Sequence, residues 1–120
     1  MTQRYLIRKN ETGEYHPRNH SGTVNRRLIG PQVTGNEALE VVFGTIQPDQ
    51  GAAPHRHPGI EQVCYLLSGS AVVTVDGESF EMNPGDCCYF PPGSMHSFEA
   101  RGSTKAEVLV VYSPPYGEQA

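Results

Sequence analysis

Tryptophan is absent from the 120-residue chain, and so are long apolar runs. None approaches the roughly 18 residues that a helical membrane span requires, so no membrane partner is expected. The N-terminus Met-Thr-Gln-Arg-Tyr lacks the charged-then-apolar layout of a secretory signal, which makes a cytoplasmic location the expectation. Positive charge is not pooled either: the net charge is -4, and lysines and arginines do not cluster beyond Arg26-Arg27. That leaves no electrostatic footprint for nucleic acid. The three cysteines, Cys64, Cys87 and Cys88, are odd in number and two are neighbours. A disulfide framework is therefore a poor reading, and reduced thiols packed as small hydrophobes are expected. Nowhere do apolar residues keep a three-to-four spacing for long without a glycine or proline interrupting, which argues against a helical fold.

What the chain has in quantity is turn formers, with thirteen glycines and ten prolines spread along its length. Between them lie alternating and β-branched runs, and the length suits one domain. Strands are expected at 4–9, 20–29, 38–47, 60–68, 71–75, 78–82, 86–90, 96–100 and 105–113. Asp76-Gly77 is a strong hairpin signal, because both central positions tolerate positive φ. Many short strands with short turns predict an all-β fold, a closed or double-sheet antiparallel barrel of the jelly-roll kind whose mouth holds one small ligand. Within it, residues 1–37 are expected to supply N-terminal strands, residues 38–113 the barrel, and residues 114–120 a tail outside the core.

The stretch from Gly51 to Gly69 carries the densest chemistry. His55 and His57 are one residue apart, so in an extended segment their imidazoles share a face and can grip a metal. Glu61 and Gln62 follow, either able to add an oxygen ligand. Alternation puts adjacent side chains on opposite faces, so both cannot point inward unless a bulge intervenes. Further on, His96 starts a strand immediately after the rigid Pro91-Pro92-Gly93 bend, and would complete a set of three nitrogens and one oxygen.

These two stretches resemble the paired motifs of the cupin superfamily. His55, His57 and Gly69 match the first motif, and the distance back from Gly69 puts Gln62 rather than Glu61 at its acidic position. Gly85, Pro91, Gly93 and His96 fit the second. The chain departs from the pattern at Ala100, where the second motif has Asn, and at Gly51, which precedes His55 by four positions instead of six. The resemblance implies a jelly-roll β-barrel with one divalent transition-metal ion per chain (Mn, Fe, Ni, Cu or Zn) held by His55, His57, Gln62 and His96. Glutamine at this position occurs in some small bacterial cupins, including those that linearise unsaturated uronates. Short cupins are usually homodimers, and the strand-like segment 23–29 is the element expected at the interface.

Three imidazoles and a neutral amide leave the ion's charge uncompensated, so the site should attract anions. A bound ion would act as a Lewis acid on a small-molecule substrate, anionic or polyhydroxylated, such as a sugar acid or keto acid. The reaction types that fit are isomerase, lyase and hydrolase. Alternatives are an iron- or copper-dependent dioxygenase and a non-catalytic binding or sensor module. Candidate pocket residues are Arg27, as a carboxylate clamp, Tyr112 and His20. Arg56 should point away from the metal, Cys64 shares the Gln62 face, and Met95 is expected in the pocket wall.

Overall fold

A computed structural model describes residues 4–117. Ten strands carry the fold: β1 (Glu14–Tyr15), β2 (Thr23–Ile29), β3 (Glu40–Ile46), β4 (Gly51–His55), β5 (Glu61–Ser68), β6 (Ser70–Val75), β7 (Glu78–Met82), β8 (Cys87–Phe90), β9 (His96–Arg101) and β10 (Ala106–Ser113). The antiparallel strands form a six-stranded sheet in the order β1-β2-β3-β10-β5-β8 and a four-stranded sheet in the order β4-β9-β6-β7. The jelly-roll arrangement expected from the sequence is therefore present, and among the described residues no helix is long and apolar enough to cross a membrane.

Period-two alternation explains how the sheets face each other. Along β3, Glu40, Val42, Gly44 and Ile46 point inward, and along β10 so do Ala106, Val108, Val110 and Tyr112. Opposite them lie Ala71 and Val73 of β6 and Phe98 and Ala100 of β9, closing one apolar core. Each Val or Leu fully buried there contributes about 1.5–3 kcal/mol. The Asp76-Gly77 hairpin forms as its residues dictate, with φ of 47° and 87°.

Four segments differ from the expectation, the first being Gly51–His55, which forms β4 where no strand was expected. Residues 4–8 form no strand, and Lys9–Glu11 is a 3-10 turn. The polar stretch after it contributes the two-residue β1, which pairs with Asn25 and Arg26 of β2. Up to Gly117 the tail does not leave the core: Tyr116 packs against it, and the Tyr116 and Gly117 amides each donate to Oε1 of Glu40 at 3.0 Å, while 118–120 lie outside the described residues. A buried carboxylate at the start of β3 outweighs the tail's lack of apolar pattern.

Candidate metal centre

Two rows of residues, one from each sheet, meet at one end of the sandwich. In the four-stranded sheet His55 of β4 is paired with His96 of β9. In the six-stranded sheet Tyr112 of β10 lies between Glu40 of β3 and Gln62 of β5, and Gln62 is paired in turn with Phe90 of β8. The Phe90 ring stacks on His96 with centroids 4.4 Å apart, joining the rows.

His55 reaches the interior because β4 carries a bulge. Its register with β9 shifts between Ala52 and His55, so three steps on β4 match two on β9. Without the extra residue, His55 would lie on the opposite face from the buried Ala52. Pro54 sits inside the bulge, where a missing N–H costs least. Gly51 opens the strand at φ 154°, and a Cβ there would fall 2.0 Å from the Phe98 carbonyl oxygen. His57 follows in the loop, buried, while Arg56 between the histidines is exposed as alternation predicts.

The bend before β9 ties the two motifs together. The Gly93 amide donates to the His57 carbonyl at 3.2 Å, and the Ser94 carbonyl accepts from His96 Nδ1 at 3.2 Å. His55 Nδ1 likewise donates to the Ala53 carbonyl at 2.7 Å. A carbonyl only accepts, so in both rings Nδ1 carries a proton, which leaves Nε2 as the atom that could ligate. The Asp76 carboxylate accepts from the Met95 amide at 2.9 Å, anchoring the residue before His96. Met95 itself is exposed and does not line the cavity.

One ligand atom from each of His55, His57 and His96 can be chosen so that all three lie within 4.8 Å of one another. Gln62 faces the same cavity, and its Oε1 is buried with no hydrogen-bond partner; His96 Nε2 is in the same condition. Buried polar atoms left unpaired are costly, so lone pairs converging on one space fit a cation there. Glu61 faces the other way and accepts from the Tyr89 hydroxyl at 2.7 Å. Burial, followed by the influence of the His55 ring, lowers the pKa of both His57 and His96 from 6.5 to about 4, keeping these rings neutral at pH 7. Burial also pushes the Cys64 thiol up, so this cavity-lining sulfur stays protonated.

The cavity measures about 40 Å³ and is lined by His20, His55, Gln62 and His96, the uncharged Asn25, Cys64 and Tyr112, and apolar side chains including Phe90 and Phe98. Of the candidates read from sequence, Tyr112 and His20 therefore reach it and Arg27 does not. Arg27 forms an ion pair through Nε with Oε2 of the fully buried Glu40, and its guanidinium lies 4.6 Å from the centre of the Tyr15 ring. Alternation alone could not show that Glu40 lay within its reach.

Three contributors were missed. Asn25 shares the inward face of β2 with Arg27 and is buried. Room for it comes from Gly44, where a Cβ would stand 2.8 Å from Asn25 Oδ1. Glu40 was legible as an acidic residue in phase with Val42 and Ile46. Tyr116 lies 4.3 Å from His57 and 5.4 Å from Tyr112, ring to ring, and no signal in the tail announced it.

The sequence model of the cupin domain matches residues 42–112. The chain belongs to the cupin family. It is 28% identical over 98 residues to an uncharacterised protein of Methanocaldococcus jannaschii, covering 82% of this chain and 78% of that one. It is 29% identical to the tetracenomycin polyketide synthase protein TcmJ of Streptomyces glaucescens, covering 82% and 66%. An oxalate-binding protein of Thermotoga maritima is 29% identical, covering 70% and 69%. Among solved structures, a predicted oxalate decarboxylase from Thermotoga maritima superposes with a TM-score of 0.81 at 24% identity, covering 92% of this chain and 99% of that one. KdgF from a Halomonas species gives 0.79 at 21%, covering 92% and 93%.

Proposed function

We propose that the chain is a metal-dependent cupin that holds one divalent transition-metal ion through His55, His57, His96 and Gln62 and acts on a small anionic or polyhydroxylated substrate such as a sugar acid or keto acid. The observation that carries this reading is the convergence of three imidazole nitrogens within 4.8 Å beside the partnerless amide oxygen of Gln62. Bound there, the ion would supply Lewis-acid stabilisation of negative charge developing on a substrate oxygen. The protein's own part is to hold the His55 and His96 rings in one tautomer through Ala53 and Ser94, to keep His57 and His96 neutral by burial and, among the described residues, to present no carboxylate to the ion. Phe90, Phe98, Val108 and Val110 keep the interior dry, so charge on an entering acid is poorly screened and strongly felt.

Cavity size limits how much of a substrate is enclosed. About 40 Å³ is room for only a few water-sized groups, so the enclosed part would hold the ion and the carboxylate that reaches it, with the rest of a substrate outside. The small diacid named for the oxalate-binding relative is a fitting first probe. The supported reactions are isomerase, lyase or hydrolase type, with dioxygen chemistry as the competing mode. The test is turnover of small keto and sugar acids by metal-loaded protein with and without dioxygen. Equal rates support the reading, and strict oxygen dependence transfers the protein to the dioxygenase class.

We also propose a homodimer. Tyr65, Leu67 and Tyr89 are 40%, 42% and 50% exposed on β5 and β8, in the sheet that also contains β2. Such an exposed apolar set supports pairing with a second copy. Light scattering at micromolar concentration should return twice the chain mass.

A further inference from the structure

We infer that His20 is the residue that grips the substrate's anionic group, binding a carboxylate seated at the three-histidine cluster without itself holding the ion. This rests on the proposed reading of the site as a metal centre for a small acid.

Four observations converge on His20. It lines the same cavity as His55, Gln62 and His96. Its Nδ1 is buried with no hydrogen-bond partner, a donor or acceptor withdrawn from water and given nothing in exchange. It stands apart from the ligand cluster: the mutually close ligand atoms belong to His55, His57 and His96, and the His20 ring lies 5.9 Å from that of His55. Those three rings are 4.4 to 5.3 Å apart among themselves. The fourth imidazole therefore lines the cavity beside the ligand cluster and not within it.

Its position is built by the backbone. His20 forms an isolated antiparallel bridge with Ala52; the Asn19 carbonyl accepts from the Ala53 amide at 2.7 Å, and the Ser21 amide donates to the Gly51 carbonyl at 2.8 Å. Asn19 at φ 61° and Gly22 at φ 56° turn the chain on either side. The segment is thus laid along β4, the strand that carries His55, and the backbone sets the two imidazoles side by side.

The chemistry of the cavity assigns the role. No lysine or arginine lines it, since Arg27 is held by Glu40. A carboxylate only accepts hydrogen bonds, and the unpartnered ring nitrogen of His20 can donate one. Asn25 is the other buried amide in the cavity wall, but its Nδ2 is turned to the Tyr15 hydroxyl at 3.5 Å.

The experiment loads parent, His20→Ala, His20→Phe and His20→Asn proteins with Mn²⁺, measures metal per chain by mass spectrometry and titrates oxalate by calorimetry. His20→Phe keeps the ring's bulk without a nitrogen and stands in if His20→Ala fails to fold; His20→Asn restores a side-chain donor. The expected result is one Mn²⁺ per chain throughout, oxalate affinity at least tenfold weaker in His20→Ala and His20→Phe, and recovery to within about threefold in His20→Asn. Unchanged oxalate affinity in both nitrogen-free variants overturns the inference while leaving the metal-centre reading intact. Loss of the metal in those variants also overturns it, making His20 a ligand. A parent protein that takes up Mn²⁺ but does not bind oxalate counts against the small-acid reading itself and removes the basis for this one.

Discussion

The two sheets meet at the site with different chemistry. The four-stranded side brings His55 and His96, with His57 in the loop that follows β4, and backbone carbonyls hold two of these rings in place. The six-stranded side brings groups that carry no charge of their own, the Gln62 amide, the Asn25 amide and the Tyr112 phenol, and behind them a carboxylate, Glu40, already bound to Arg27 and the tail. One side supplies the imidazoles, and the other adds the neutral Gln62 amide without adding negative charge. The difference teaches that Glu40 is engaged by Arg27 and the tail amides and Glu61 by Tyr89, so neither carboxylate would offset the charge of an ion held here.

The largest expected effect comes from breaking the histidine side. His96→Ala removes a proposed ligand held by both Ser94 and the Phe90 stack, and metal content should fall from the proposed one ion per chain to a small fraction, measured by mass spectrometry after dialysis. On the other side, Glu40→Ala leaves the Arg27 guanidinium, 13% exposed, without its carboxylate and frees the tail amides. Breaking a buried pair from one end costs about 3–5 kcal/mol. Urea unfolding should show that loss, with metal stoichiometry retained in the folded fraction.

A third effect is set by pH. The folded state holds His20, His57 and His96 with pKa lowered from 6.5 to about 4, chiefly by burial. Between those values the unfolded chain takes up more protons than the folded one, so the stability of metal-free protein is full above about pH 6.5 and falls as pH drops toward 4. Denaturant midpoints at pH 7, 6, 5 and 4.5 should decline in that order. A smaller effect sharpens the inner wall: Gly44→Ala places a methyl against Asn25 and Val108 and should cost about 1–3 kcal/mol through overpacking. Metal content should not change.

Much of this was legible in the residues, for reasons that can be named. Alternation along Gln62, Cys64 and Leu66 set the inner face of β5, and Asp76-Gly77 set a hairpin. The spacing of His55, His57 and His96 pointed to a shared site because rigid turns of proline and glycine flank them. What stayed hidden depended on contacts between distant segments. Arg27 meets Glu40 thirteen positions away, and the tail is captured by that same carboxylate seventy-six positions from Tyr116. The β4 bulge was equally silent: strict alternation from Ala52 would have turned His55 outward. The N-terminal stretch, read for an interface and for His20 as a pocket candidate, also delivers the unforeseen Asn25 to the cavity wall.

The most direct test of the site sets two neighbours against each other. Gln62→Ala and Glu61→Ala proteins are titrated with Mn²⁺ beside the parent, with free ion followed by electron paramagnetic resonance. Gln62 faces the cavity and Glu61 faces Tyr89, so Gln62→Ala should weaken Mn²⁺ binding at least tenfold and Glu61→Ala by less than twofold. A protein in which Glu61→Ala loses the ion while Gln62→Ala keeps it would contradict the ligand set and the claim of an uncompensated metal charge.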